Sequence, residues 1–210
     1  MRKSILIYFS IAFLFLPAVA GADLIVGSGL IGGSGDVENV LFKGSGVVLG
    51  PAYTLTGSTN QTGSLVDFTG MENLAATAGG QERIGAADGF FDYLTIKMQD
   101  PNLGFSKIQF NIDSAFDGIV KFEFTDQFAN VLVGFYSLDD KGQNFFTAYS
   151  TDGQVIVKAV IASMTPSQAI TDIEQVRVNP TQVVPEPASM ILFGTGSIVF
   201  ARYLRKKFKK

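Results

Sequence analysis

The strongest constraint in this chain is an alternation of apolar and polar residues with a period of two. It recurs between short clusters of Gly, Asp, Asn and Pro. In Ile108-Gln109-Phe110-Asn111-Ile112 and Val120-Lys121-Phe122-Glu123-Phe124 every second side chain is apolar. On a strand successive side chains point to opposite faces, so each run buries one face and wets the other. Leu65-Val66-Asp67-Phe68 and residues 93–98, 131–136, 145–149, 155–161 and 176–178 continue the pattern. Sustained helical periodicity is missing, which limits helix to a turn at residues 72–78 or 167–170. Many short strands punctuated by turn residues predict an all-β domain, an antiparallel β-sandwich or jelly roll, over residues 23–182. Within it, residues 27–50 are glycine-dense but lack the strand before and the helix after that a phosphate-cradling loop needs, so these glycines read as turns and tight crossings.

Composition narrows the chemistry. The 210 residues contain no Cys, His or Trp but 23 Gly and 19 Phe. That excludes a thiol nucleophile, a Ser-His-Asp triad, a thiolate or imidazole zinc site and a disulfide framework. No cofactor is implied, and the expectation is a non-enzymatic protein. The net charge of −3 conceals a partition: residues 23–184 carry eighteen Asp/Glu against eight Lys/Arg, while the remaining eight basic residues sit at the two ends. An acidic body repels phosphate backbones, so nucleic acid is excluded as a partner.

Both ends read as targeting segments. Arg2-Lys3, an apolar run over residues 5–16 and the small residues Ala18, Ala20 and Ala22 have the layout of a secretory signal peptide spanning residues 1–22. At the other end, Pro185 and Pro187 bias their neighbours toward extended backbone and flank Glu186 in an accessible linker. A nearly uncharged run over residues 187–204 follows, about 25 Å long as a helix. It suits a bilayer core of about 30 Å once a terminal Arg snorkels. Arg202, Arg205, Lys206, Lys207, Lys209 and Lys210 then close the chain. The positive-inside rule keeps both basic ends in the cytoplasm and sends the acidic body across the inner membrane.

The tail VPEPASMILFGTGSIVFARYLRKKFKK, residues 184–210, resembles a PEP-CTERM sorting signal, with the motif carried by Val184, Pro185, Glu186, Pro187, Ala188 and Ser189. The resemblance implies recognition and removal by an exosortase, a membrane-embedded cysteine transpeptidase of Gram-negative bacteria that also make exopolysaccharide. A plain membrane anchor with a proline linker is the alternative. Residues 81–91, 142–146 and 172–178 also resemble the exported domains found ahead of such tails, a likeness that concerns fold and names no activity.

Within the body three sets of residues invite a chemical reading. Asp139, Asp140 and Asn144 could offer oxygens to a hard cation from a turning loop, although Lys141 among them favours a solvated hairpin turn. Asp88, Asp92, Glu123 and Asp126 are the acids from which a glycosidase pair would have to come. The doublets Phe90-Phe91 and Phe145-Phe146, with Tyr93 and Tyr149, could stack on sugars. On a strand each doublet sends one ring to each face, yet Phe without Trp favours packing for both. The sequence therefore predicts an exported surface or matrix protein, associated with biofilm or exopolysaccharide, with exosortase, the inner membrane and exopolysaccharide as partners. The alternative is a secreted carbohydrate-binding module or weak glycan hydrolase using the same route.

Overall fold

The computed structural model describes residues 24–183, apart from Gly33, residue 152 and residues 78–81, 141–142 and 165–169. Twelve strands account for most of it: β1 (Leu24–Ser28), β2 (Glu38–Leu41), β3 (Ala52–Thr59), β4 (Leu65–Thr77), β5 (Arg83–Ala86), β6 (Tyr93–Met98), β7 (Leu103–Ser114), β8 (Gly118–Asp126), β9 (Val131–Leu138), β10 (Asn144–Ser150), β11 (Ile156–Ser163) and β12 (Ile170–Gln182). A single 3-10 turn at Ser34–Asp36 interrupts the glycine-dense stretch. Every pairing between these strands is antiparallel.

One local expectation is corrected. Residues 72–77, rich in helix formers, do not turn but continue β4, with Leu74 opposite Ala86 and Thr77 opposite Arg83. Local propensity is a weak prior, and here Leu74, fully buried, gains more from a strand partner on β5. Residue 78 and residues 167–169 lie outside the described residues, and Ile170 opens β12.

The hydrogen-bonded path runs β1-β10-β7-β12-β2-β3-β4-β6-β11-β8-β9. A further pairing of β11 with β7, at Ile156 and Phe105, closes seven strands into a ring. Strands β1 and β10 extend it on one side, β8 and β9 on the other, while β5 bridges β12 and β4. The apolar members of the alternation face the core, with Ile108, Phe110 and Ile112 of β7 and Val120, Phe122 and Phe124 of β8 all fully buried. On β7 the expected wet face is covered as well, since Gln109 and Asn111 are buried and Gln109 Nε2 donates to the Ile31 carbonyl at 3.1 Å. Phe122 is the hub, with ring centroids 5.4 Å from Phe110, 4.8 Å from Phe146 and 5.3 Å from Tyr136. Aromatic pairs in this range add about 0.5–1.5 kcal/mol each beyond the area they bury. Tyr136 keeps its polar end satisfied by donating its hydroxyl to the Val26 carbonyl of β1 at 3.0 Å.

Ring closure needs two backbones close together, and Gly104 supplies the room. A Cβ at this position would stand 2.5 Å from both the Ile156 carbonyl oxygen and Val155 Cγ1. Nothing larger than hydrogen fits without moving β11 off β7. Replacing Gly104 with Ala should therefore destabilise the fold by about 1–3 kcal/mol, the usual range for forcing extra atoms into a packed site. Urea unfolding of the purified protein, followed by far-UV circular dichroism, measures it.

Candidate functional site

The residues expected to carry sorting flank the folded body. Ala18, Ala20 and Ala22, Val184 through Ser189, the 187–204 helix and the basic residues Arg202, Arg205, Lys206, Lys207, Lys209 and Lys210 all lie outside the described residues. Among the described residues no helix is long and apolar enough to cross a membrane. What the structure fixes is the point from which the tail departs. β12 pairs with the start of β7 to its last residue, Gln182 opposite Leu103, and the Val183 N–H donates to the Asn102 carbonyl at 2.8 Å. Asn102 is itself held in its turn by Asp100, whose Oδ1 accepts from the Asn102 N–H at 2.9 Å and Nδ2 at 3.0 Å. The hydrogen-bonded backbone therefore continues through Val183.

A scan against family models matches residues 183–207 to the PEP-CTERM protein-sorting motif. The chain carries a PEP-CTERM sorting motif. Such a motif marks a protein for export and for membrane-associated sorting by an exosortase. No curated protein matches the chain. Among solved structures, an exo-beta-agarase is 10% identical over 59% of this chain and 24% of its own, with a TM-score of 0.36. The chain thus spans about a quarter of that agarase. The family 29 carbohydrate-binding module CBM29_1 from Piromyces equi is 12% identical over 72% of this chain and 90% of its own, with a TM-score of 0.30.

The other candidates separate once their contacts are known. Asn144 is bonded within its own loop. Its Oδ1 accepts the Asp139 N–H at 2.9 Å, and its Nδ2 donates to the carbonyls of Asp139 at 3.0 Å and Ile112 at 2.9 Å. Asn144 thus closes a turn, as Asx side chains commonly do. Asp139 and Asp140 gather instead with Asp117, all three exposed, and the Asp140 N–H donates to Asp117 Oδ1 at 3.0 Å.

Of the four acids weighed for glycoside hydrolysis, Asp126 is buried and committed to its loop. It accepts from the N–H groups of Phe128 and Asn130 and from the side-chain amides of Asn130 and Gln154, at 2.8–3.1 Å. Glu123 is paired with Lys121 at 2.8 Å. Asp88 and Asp92 stand near Glu72, whose carboxyl is pushed up by burial and then by these two neighbours. Both aromatic doublets split, Phe145-Phe146 on β10 by strand alternation and Phe90-Phe91 between β5 and β6, where Phe91 bridges Ile170. Phe91 is 1% and Phe146 2% exposed, whereas Phe90 is 49% exposed and Phe145 half-buried. Packing therefore accounts for one ring of each doublet, not for both.

A cluster that sequence reading did not assemble lies on the outer face of β7 and β12. Register sets Asn111 beside Glu174 and Asp113 beside Asp172, and β5 brings Arg83 beside Glu174. Arg83 reaches Asp172 at 3.1 Å, Glu174 at 3.2 Å and Asp113 at 3.8 Å. Asp113 lies some sixty positions before Asp172 and Glu174, and Arg83 a further thirty, so strand register is what brings them together.

One cation among three carboxylates leaves Asp172 in an unfavourable field. Burial first, then the Asp113 charge, push its carboxyl up to about 6 from 3.8, against the opposing pull of Arg83. An acid with a raised folded-state pKa binds its proton more tightly in the native state, so its ionisation opposes folding. The penalty is absent below pH 3.8 and grows as pH rises to about 6, above which it is complete. Asp172→Asn should therefore stabilise the fold at neutral pH by on the order of 1–2 kcal/mol and leave it little changed near pH 4. Denaturant midpoints across that interval check this.

Proposed function

We propose that this protein is a non-enzymatic surface or matrix component of a Gram-negative bacterium, delivered by exosortase sorting, with a structural or interaction role alongside exopolysaccharide. The body, a two-layered β-sandwich in this reading, crosses the inner membrane behind a signal peptide cut in the Ala18 to Ala22 region. Residues 187–204 hold it there as a transient helix, and the basic residues from Arg202 to Lys210 stay in the cytoplasm. The chemistry of release belongs to the exosortase, which takes Pro185, Glu186 and Pro187 as its recognition site. The observation that carries this reading is the sorting motif at residues 183–207, beginning where the last strand ends.

In cells with an active exosortase, intact-mass measurement of the mature protein should find it without residues 202–210. Replacing Pro185, Glu186 and Pro187 together with Ala should leave full-length chain in the inner-membrane fraction. Mature protein that still ends in Lys210 would count against processing.

A second reading, glycan binding by the exported body, has one specific support: Phe90, beside the buried Phe91, presents about half its surface to solvent. Aromatic faces stack on apolar faces of ligands, sugars included. If the body binds glycan through this ring, retention on the host's own exopolysaccharide should drop at least tenfold in Phe90→Ala. Equal retention of both proteins would remove Phe90 from the account.

A further inference from the structure

The acidic cluster around Arg83 has the spacing of a cation site. One carboxylate oxygen each from Asp113, Asp172 and Glu174 lies within 4.8 Å of the others. Two oxygens bound to one calcium ion, each at about 2.3–2.6 Å from it, can be no more than about 5 Å apart. Arg83 supplies a single positive charge against three negative ones, and its side chain is 46% exposed where that of Glu174 is 5% exposed. A second feature is independent of the carboxylates. Asn111 is fully buried, and its Nδ2 donates to Glu174 Oε1 at 3.0 Å, which sets its amide against the cluster. Its Oδ1, like Asp172 Oδ1, has no hydrogen-bond partner. Native proteins seldom leave such buried oxygens unpaired, and an unmade ion contact is one of the standing reasons.

We propose that Asp113, Asp172, Glu174 and the amide oxygen of Asn111 bind one calcium ion, and that Arg83 gives up its carboxylate contacts as the ion enters. The donor set is all oxygen and mixes charged carboxylates with a neutral amide carbonyl, which suits calcium. Magnesium demands a near-ideal octahedron and holds its waters, and an all-oxygen site is a poor match for softer metals. The site rests on β7 and β12, the two most extensively paired strands, so its ligands are held by ladder hydrogen bonds rather than by a loop. An extracellular module of this kind binds calcium with a Kd of about 10⁻⁴–10⁻³ M.

The purified full-length chain, stripped with chelator, is titrated with calcium chloride by calorimetry and melted with and without the ion. We expect one ion per chain and a higher Tm. Asp172→Asn and Glu174→Gln should each weaken binding at least tenfold. Both relieve like-charge repulsion, and circular dichroism verifies that they fold. Arg83→Gln removes the competing cation and should tighten binding. Asp140→Asn, in the exposed cluster with Asp117 and Asp139, should bind as the parent does. The proposal is overturned by the absence of both heat and melting shift at calcium well above that range. Binding that survives Asp172→Asn and Glu174→Gln, or is lost in Asp140→Asn, overturns it equally.

Discussion

The contact on which the structure depends most is that of Phe122 with Phe110, Phe146 and Tyr136. Phe110 and Phe146 are directly opposite each other on β7 and β10, while Phe122 belongs to β8 and Tyr136 to β9. Strands β1, β10, β8 and β9 lie beyond the closed ring, on its two sides. Backbone hydrogen bonds hold each to its immediate neighbours, and side chains pack one side against the other. With no disulfide available, this aromatic cluster and the Tyr136 hydroxyl on Val26 supply that connection. Phe is well suited to the task, since it buries a large area and has no polar atom to satisfy.

The acidic side chains follow a different logic from the apolar core. Its acids are not spread evenly but collected at strand register positions and turns. Some are fully accommodated: Asp126 accepts four hydrogen bonds within its loop. The Glu38 carboxylate takes the N–H groups of Gln61 and Thr62 and the Thr62 hydroxyl, and although burial opposes it, these bonds hold its carboxyl below the usual range. Others, around Arg83, remain charge-frustrated. Neighbouring acids in the same fold thus have opposite electrostatic fates, and the difference lies in the donors around each one rather than in residue type.

Much of the fold was legible because alternation is a local signal. The strands around Phe110 and Phe122 and the exact extent of β6 follow from it, as does the splitting of Phe145 from Phe146 on β10. What could not be read is pairing. Nothing in Glu72-Asn73-Leu74-Ala75-Ala76 says that β5 will claim it as a partner, so its helix-forming composition pointed the wrong way. The short spacing of Asn144 from Asp139 suits the hairpin turn that Lys141 favours, and the amide closes that turn. The Arg83 cluster, by contrast, was invisible: its members are distant in sequence and meet only through register. The sorting tail is the converse case, since linear order alone carries the signal.

β12 gives the tail its mechanical setting. Over residues 172–178 it has neighbours on both sides, β7 on one and β5 and β2 on the other, whereas residues 179–182 pair with β7 alone. A pull on the chain beyond Val183 would meet this single ladder first, and reach the two-sided part of β12 only after residues 179–182 had parted from β7.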